Sequence, residues 1–270
     1  MSIDIRQAPA PASRSVPWQK FLKAHSDRLW GPTSILGGLL LWEVLSRFVV
    51  ANTLLLASPT QIVGAIVELL ASGELQRHFF VSAQEFLWGY VSGCVLGVLL
   101  GLAMANSVAA QRALQPWVSG LYATPTVALA PLFILWFGVG ILSKVIVVAL
   151  LVIFPVIINT EAGIRTTSPQ LIETVRSFGA SRLQIFIKVS LPSALPFIFA
   201  GFKLGIGRGL IGVVVAELFG ARAGLGQLIS QSAETFNMPS LFAGVIVLAV
   251  AGILLTSAFT WLERKLVPWR

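Results

Sequence analysis

Six long apolar segments constrain the fold of this 270-residue chain more than any other feature of its sequence. Each approaches the roughly 20 apolar residues that a helix needs to cross the hydrocarbon core of a bilayer. Inside a bilayer the backbone must satisfy its own hydrogen bonds, which favours helices or a closed barrel. The runs lack the alternation of a strand, so the sequence predicts helices. The predicted spans are residues 30–50, 79–105, 116–138, 142–160, 196–218 and 241–262.

The composition supports a membrane protein. The chain is 56% hydrophobic and 11% charged, whereas soluble domains carry about 25% charged residues. A net charge of +8 would also suit a nucleic-acid binder, but the basic residues form no soluble basic face. Most of those outside the spans fall in residues 1–29, in residues 161–195 and near the C-terminus. The positive-inside rule therefore predicts that both termini and residues 161–195 are cytoplasmic.

The predicted organisation follows from these segments. Residues 1–29 are expected to be a cytoplasmic tail, in which the Ala- and Pro-rich residues 8–12 indicate disorder. Residues 30–265 form the transmembrane domain, with the loop 161–195 inside it, and residues 266–270 form the cytoplasmic C-terminus.

The polar loop 161–195 is predicted to contain two short helices. Ser168 is expected to cap the first helix through its side chain, with Pro169 as its first residue, and Gly179 is expected to end it. Ser181 and Gln184 have the spacing of a capping box at the start of the second helix. The Leu191-Pro192 pair is expected to break that helix before the next span.

An apolar face on the first of these helices suggests a docking function. Leu171, Val175 and Phe178 follow helical spacing, with Glu173 and Arg176 to the side. A short exposed helix of this kind fits the groove of a soluble partner. The alternative is that the loop folds back under its own helical bundle.

Glycines in two spans predict close helix packing. They recur every four residues, at Gly89, Gly93, Gly97 and Gly101 and again at Gly201, Gly205 and Gly209. Such ridges let helix backbones approach in lipid, where no hydrophobic effect drives helices together.

Ionisable residues inside the spans are functional candidates because they are costly there. Glu43 and Arg47 are expected to pair, and Lys203 is expected to snorkel toward the inner face. Glu85 and Glu217 are expected to be solvated near the outer ends of their spans. Arg208 lies deepest, where it would neutralise an anionic substrate, pair with a helix carbonyl, or pair with Glu85. A predicted substrate pathway comprises Arg208, Glu85, Thr124 and Thr126.

The loop also carries a family motif. Its spacing resembles the E-A-A-x3-G-x9-I-x-L-P motif of permease subunits of bacterial binding-protein-dependent ABC importers. Thr174 and Val175 replace the two alanines and Val189 stands at the isoleucine position. The matching residues are Glu173, Gly179, Leu191 and Pro192. Residues 125–132 and 136–138, with Ala216-Glu217 and residues 224–226, resemble the nitrate, sulfonate, taurine and bicarbonate branch.

This resemblance implies a fold and a mechanism. It implies an all-α membrane protein of the type I importer fold, with about six spans and a cytoplasmic coupling helix. The residues implied in coupling to an ATPase are Glu173, Val175, Arg176, Phe178, Gly179, Leu191 and Pro192. It further implies a homodimer in the bacterial inner membrane, two ABC ATPase subunits, and a periplasmic or lipid-anchored binding protein that delivers a small anion.

The sequence also bears on functions other than an importer. The chain has no Gly-x4-Gly-Lys-Ser/Thr loop, so ATP and Mg²⁺ are expected on a partner and this chain is not expected to be an enzyme. It is expected to bind no metal or cofactor, since its only histidines are His25 and His78. The principal alternative is a stand-alone secondary transporter or channel, although the halves show no evident internal repeat.

Overall fold

The computed structural model describes residues 17–50, 52 and 54–269, with side chains from residue 30 onward. The described residues form helices and no strand, as predicted; residues 8–12 lie outside them. The helices are α1 (Pro17–Val44), α2 (Pro59–Ala71), α3 (Glu74–Asn106), α4 (Val108–Ala123), α5 (Ala130–Phe137), α6 (Ile141–Arg165), α7 (Pro169–Ser177), α8 (Arg182–Ile185), α9 (Leu191–Leu218), α10 (Leu225–Glu234) and α11 (Met238–Leu266).

The described residues divide into two compact units, one that ends at residue 60 and one that begins at residue 61. In the first unit, α1 runs into a π-helical turn at Leu45–Val49. The predicted pair of Glu43 and Arg47 is confirmed by a salt bridge. Thr60 strengthens this pair, because its backbone N–H and its hydroxyl donate to the Glu43 carboxylate at 3.1 and 2.8 Å.

The second unit contains the helices that are long and apolar enough to cross a membrane. Among the described residues these are α3, α6, the continuous run 182–218 and α11, and a fifth crossing results if the bent pair of α4 and residues 126–137 counts as one. The four helices contain four of the predicted spans, and the bent pair contains most of a fifth. The sixth predicted span, residues 30–50, lies in α1 and its π-helical turn. These are not among the helices that are long and apolar enough to cross a membrane.

The span predicted as one helix over residues 116–138 is broken instead. α4 ends at Ala123, and the two halves meet at a bend of 84°. Thr124 is extended, with φ −73° and ψ 134°, because the ring of Pro125 disfavours helical backbone in the residue before it. A 3-10 turn at Thr126–Leu129 then leads into α5.

The core of the second unit is α6, packed between the glycine ridges of α3 and α9. A Cβ at Gly97 would lie 2.7 Å from Val156 Cβ, and one at Gly205 would lie 3.1 Å from Val152 Cγ1. Both valines are fully buried. The predicted close packing of the glycine ridges is therefore confirmed, and the β-branched side chains of α6 are what occupies the grooves.

The polar loop is more helical than predicted. α6 continues to Arg165, and residues 182–218 form one helical run. The predicted break at Leu191-Pro192 is wrong, because a π-helical turn at Phe186–Ser190 precedes Pro192. The Leu191 N–H donates to the Phe186 carbonyl, and this wider turn accommodates the proline ring and its missing donor.

Candidate functional site

The segment from residue 169 to residue 192, here called the docking segment, exposes apolar side chains. No residue of α7 is buried. Phe178 at its end is 86% exposed, and Leu183 and Ile187 beyond the turn are 66% and 52% exposed. A side chain as large as phenylalanine gains about 1.5–3 kcal/mol on full burial. The docking segment thus leaves a substantial apolar gain unused within the chain.

The turn between α7 and α8 gives the docking segment a fixed shape. Gly179 has φ +82°, a left-handed conformation that glycine adopts without strain. Its N–H donates to the Arg176 carbonyl at 2.9 Å, and the Ala180 N–H donates to the Val175 carbonyl at 3.4 Å. These two bonds make a Schellman motif. The prediction that Gly179 ends the helix is confirmed.

Of the two predicted helix caps in the loop, one is confirmed and one is wrong. Ser181 and Gln184 form the predicted capping box, and Pro169 lies in the first turn of α7 as predicted. The predicted cap by the Ser168 side chain is wrong. Its hydroxyl donates to Gln170 Oε1 at 3.0 Å instead of accepting a backbone N–H.

The predicted coupling residues separate into two groups. Glu173, Arg176, Phe178 and Gly179 are exposed, with Val175 half-buried beside them. The other two, Leu191 and Pro192, are half-buried in the first turn of α9. The site prediction did not include Leu183 and Ile187, which extend the exposed apolar surface of Phe178. Their helical spacing in the second helix was the available signal.

The predicted pathway residues are also separated. Arg208 is exposed on α9, and its Nη2 donates to the Tyr122 hydroxyl at 3.3 Å. Its guanidinium lies 5.4 Å from the centre of the Tyr122 ring. Thr124 is exposed close by in sequence, with its hydroxyl bonded to the Gly120 carbonyl, whereas Thr126 is buried. Tyr122 was not predicted, and nothing in its sequence context singles it out.

Glu85 does not lie with Arg208. Its Oε1 is 3.0 Å from Lys144 Nζ, which rules out the alternative pairing of Arg208 with Glu85. The expectation that Glu85 and Glu217 are solvated is wrong, since they are 1% and 0% exposed. Helix packing rather than position along the span decides their burial.

Lys203 also differs from expectation. It was expected to snorkel, but its Nζ lies 2.7 Å from Glu263 Oε2. Glu263 is buried, so the ammonium is retained by a carboxylate in α11 rather than by water at the membrane surface.

Metal chemistry gains no support from the geometry. Within the part of the chain that the structure describes, no group of three or more His, Cys, Asp or Glu side chains is arranged to hold a metal ion. The described helices instead define a polytopic membrane protein with exposed apolar side chains on residues 169–192.

Comparison with known proteins specifies the class. Residues 93–268 match the family of binding-protein-dependent transport system inner membrane components. The chain is 38% identical over 230 residues to a putative aliphatic sulfonates transport permease of Bacillus subtilis, which covers 85% of this chain and 83% of that one. It is 35% identical to a formylaminopyrimidine transport permease of Halalkalibacterium halodurans, over 86% and 92% of the two chains.

The fold agrees with a solved importer. A subunit of the MetNI methionine ABC transporter, in an inward-facing conformation, superposes with a TM-score of 0.61 at 20% identity. The match covers 69% of this chain and 93% of that one. This chain belongs to the family of binding-protein-dependent transport system inner membrane components. It is thus a permease component of an ABC importer, and the ATPase of such a system is a separate subunit.

Proposed function

We propose that the docking segment is where ATP-driven movement enters this permease. The observation that carries the proposal is the exposed apolar surface of Phe178, Leu183 and Ile187, built around the rigid turn at Gly179. A short helix with an apolar face docks into a groove of a partner. The groove of an ABC ATPase subunit is the partner that the family motif implies, with ATP and Mg²⁺ bound there.

The contact chemistry suits such a groove. Phe178 supplies a large aromatic anchor, which is the type of residue that dominates binding energy in protein interfaces. Glu173 and Arg176 are exposed on α7, where they would set orientation from the rim of the contact. The fixed turn at Gly179 transmits a push on α7 to α8 and from there into the continuous run 182–218.

The topology and the partners follow from the same arrangement. The docking segment and both termini face the cytoplasm, as the distribution of basic residues indicates. α10 then faces the other side of the inner membrane, where a periplasmic or lipid-anchored binding protein delivers the solute. A second copy of the chain completes the translocation pathway. The alternative, in which the loop folds back under its own helical bundle, is disfavoured because the Phe178 side chain is 86% exposed.

We further propose a small organic anion, such as a sulfonate, as the solute. Arg208 is a permanently charged, exposed group within a candidate span, and a guanidinium recognises sulfonates and carboxylates through paired hydrogen bonds. Its contact with Tyr122 fixes its direction. Thr124 lies two residues from Tyr122 and offers a further hydroxyl. A putative permease for aliphatic sulfonates is among the relatives, whereas a formylaminopyrimidine permease represents a competing substrate class.

Transport in proteoliposomes tests this function. The chain is reconstituted with its ATPase and binding protein, and uptake of a radiolabelled alkyl sulfonate is followed with and without ATP. Uptake is expected to require all three proteins and ATP. Uptake by the permease alone, without ATP, would support a stand-alone transporter and contradict the proposal.

The proposal that Arg208 recognises an anionic solute is tested by changing Arg208 to Gln. The variant is expected to assemble with the ATPase normally and to lose about tenfold or more of sulfonate uptake, because a charged hydrogen bond contributes roughly 1.5–3 kcal/mol. Arg208→Lys keeps the positive charge without the paired donors, so its sulfonate uptake is expected to lie between that of the wild type and that of Arg208→Gln. Undiminished sulfonate uptake by Arg208→Gln would remove Arg208 from the pathway.

A further inference from the structure

A buried polar cluster joins four helices at the end of α9 that is remote from the docking segment. We call it the α10 anchor. Its side chains are His78, Ser82 and Glu85 of α3, Lys144 of α6 and Glu217 of α9, and each is at most 5% exposed. α9 has 28 residues, so about 42 Å separate its two ends. The proposed coupling mechanism uses none of these side chains.

The α10 anchor supplies the hydrogen-bond acceptors for the start of α10. The first N–H groups of a helix have no partner within it. The Leu225 N–H donates to Ser82 Oγ at 2.7 Å, and the Gly226 N–H donates to Glu217 Oε2 at 2.5 Å. Ser82 in turn donates to Glu217 Oε1 at 2.5 Å. Side chains from two other helices therefore attach α10 to the bundle.

His78 adds a third attachment. Its Nδ1 lies 2.7 Å from the Gly224 carbonyl oxygen and 3.0 Å from the Gly224 nitrogen. Gly226 must be a glycine in this arrangement, because a Cβ there would lie 2.7 Å from the Val214 carbonyl oxygen and 2.9 Å from Glu217 Oε2. The approach of α10 to Glu217 is thus as close as the backbone allows.

The charges of the α10 anchor do not balance if both carboxyl groups are ionised. Lys144 Nζ is 3.0 Å from Glu85 Oε1, and it is the one ammonium in a cluster that contains two carboxyl groups. Ser82, one turn before Glu85 on α3, donates to Glu217 Oε1, so both carboxyl groups belong to the same buried cluster. The second oxygen of Glu85 is buried and has no hydrogen-bond donor. Two carboxylates cannot bond to each other, whereas one that carries a proton donates to the other.

No other charge resolves this imbalance. The remaining charged residues of α3 are Glu74 and Arg77, both of them exposed, and His78 Nε2 lies 3.7 Å from Glu74 Oε1. α5 and the first half of α11 contain no titratable side chain, and in α10 the only one is Glu234 at its last residue. Arg112 of α4 and Arg222 before α10 are exposed.

We propose that Glu85 and Glu217 hold one proton between them and that this proton keeps α10 attached to α3 and α9. With the proton, the α10 anchor contains one negative and one positive charge. Without it, two buried carboxylates repel each other, and Glu217 loses its place beneath the Gly226 N–H. The attachment of α10 therefore depends on this proton.

Infrared spectroscopy of the purified full chain in nanodiscs tests the proton directly. The wild type is expected to show the C=O stretch of a protonated, buried carboxylic acid. Glu85→Gln and Glu217→Gln are each expected to remove that same band, because the remaining carboxyl group then ionises opposite Lys144. Absence of the band in the wild type, or its persistence in either variant, would overturn the proposal.

Hydrogen exchange tests the attachment and requires no knowledge of the substrate. Raising the pH is expected to speed exchange at Leu225 and Gly226 by about tenfold or more beyond the intrinsic rate. In the Glu85→Gln variant the side-chain amide donates at every pH, so exchange at Leu225 and Gly226 is expected to stay slow with no pH step. In the Ser82→Ala variant exchange at these positions is expected to be rapid at every pH. A pH step in Glu85→Gln equal to that of the wild type would overturn the role of the proton.

Because neither readout depends on the ATPase or on uptake, failure of this inference is distinguishable from failure of the proposed importer function. The Glu68→Gln variant is the control, since it removes an exposed carboxylate of α2 outside the α10 anchor and is expected to leave both readouts unchanged.

Discussion

The two ends of α9 treat their side chains in opposite ways. At the α10 end, Glu85 and Glu217 are buried, and side chains from three helices surround them. At the other end, Phe178 and Leu183 are exposed on a segment whose backbone is nonetheless well ordered by a Schellman motif and a capping box. Charged side chains are therefore buried in the helix packing at the α10 end of α9. Apolar side chains are exposed at the other end.

This difference separates residues that stabilise the chain from residues that act on other molecules. The buried charges interact with groups of the same chain, so changing them should alter stability. The exposed apolar groups have an ordered shape and no comparable burial, so changing them should alter binding. The predictions below test this division, from the largest expected effect on stability to the smallest.

Replacing Lys144 with Met should have the largest effect on stability. It leaves the buried carboxyl groups of Glu85 and Glu217 without a cation, and removing one partner of a buried pair costs about 3–5 kcal/mol. The loss of stability is measured by thermal unfolding in detergent, monitored by size-exclusion chromatography. Lys188→Met, which removes an exposed ammonium, should unfold like the wild type; equal losses in the two variants would break the division.

Replacing Gly93 with Val should destabilise the chain by about 1–3 kcal/mol, the usual cost of overpacking. A Cβ at Gly93 would lie 2.8 Å from the Ala149 carbonyl oxygen and 2.9 Å from Val152 Cβ. Gly64→Val is the matched control in a helix, since nothing lies within 4 Å of its Cβ position. The same unfolding assay should separate the two variants, and similar curves would show that the glycine ridge is not tightly packed.

Replacing Gly179 with Val should cost about 1–2 kcal/mol of local strain, because a branched side chain resists φ +82°. No atom lies within 4 Å of the Cβ position, so the bundle itself should stay folded while ATP-dependent uptake falls. Gly179→Asn, which tolerates this conformation better, should retain most uptake. Equal uptake by the Val and Asn variants would mean that the turn geometry is not needed for coupling.

The sequence predicts the membrane helices well because apolar length and glycine spacing are local signals. The helix end at Gly179 and the capping box at Ser181 were predicted for the same reason. Proline effects were harder to assign. Pro125 breaks a predicted span, whereas Pro192 does not end its helix, because the outcome depends on whether the preceding turn widens.

The partners of the buried charges could not be predicted. Glu85, Lys144 and Glu217 come from three helices that are distant in sequence, and only the packing of α6 between α3 and α9 brings them together. Sequence position suggested solvation for Glu85 and snorkelling for Lys203, but each has a partner on another helix. The contact of Arg208 with Tyr122 likewise joins two helices, α9 and α4, that are distant in sequence.

Replacing Phe178 with Ala should have the smallest effect on stability, within about 0.5 kcal/mol, because the side chain is 86% exposed. Its effect on binding should be large. Removal of an aromatic anchor from an interface costs about 2 kcal/mol or more, which corresponds to a loss of affinity of roughly thirtyfold.

The affinity of the ATPase subunit for nanodisc-embedded permease, measured with the wild type and with Phe178→Ala, tests the central claim most directly. The docking segment predicts normal unfolding of Phe178→Ala together with a roughly thirtyfold weaker ATPase affinity. Unchanged ATPase affinity in a folded Phe178→Ala protein would contradict the claim that this exposed segment receives the ATPase.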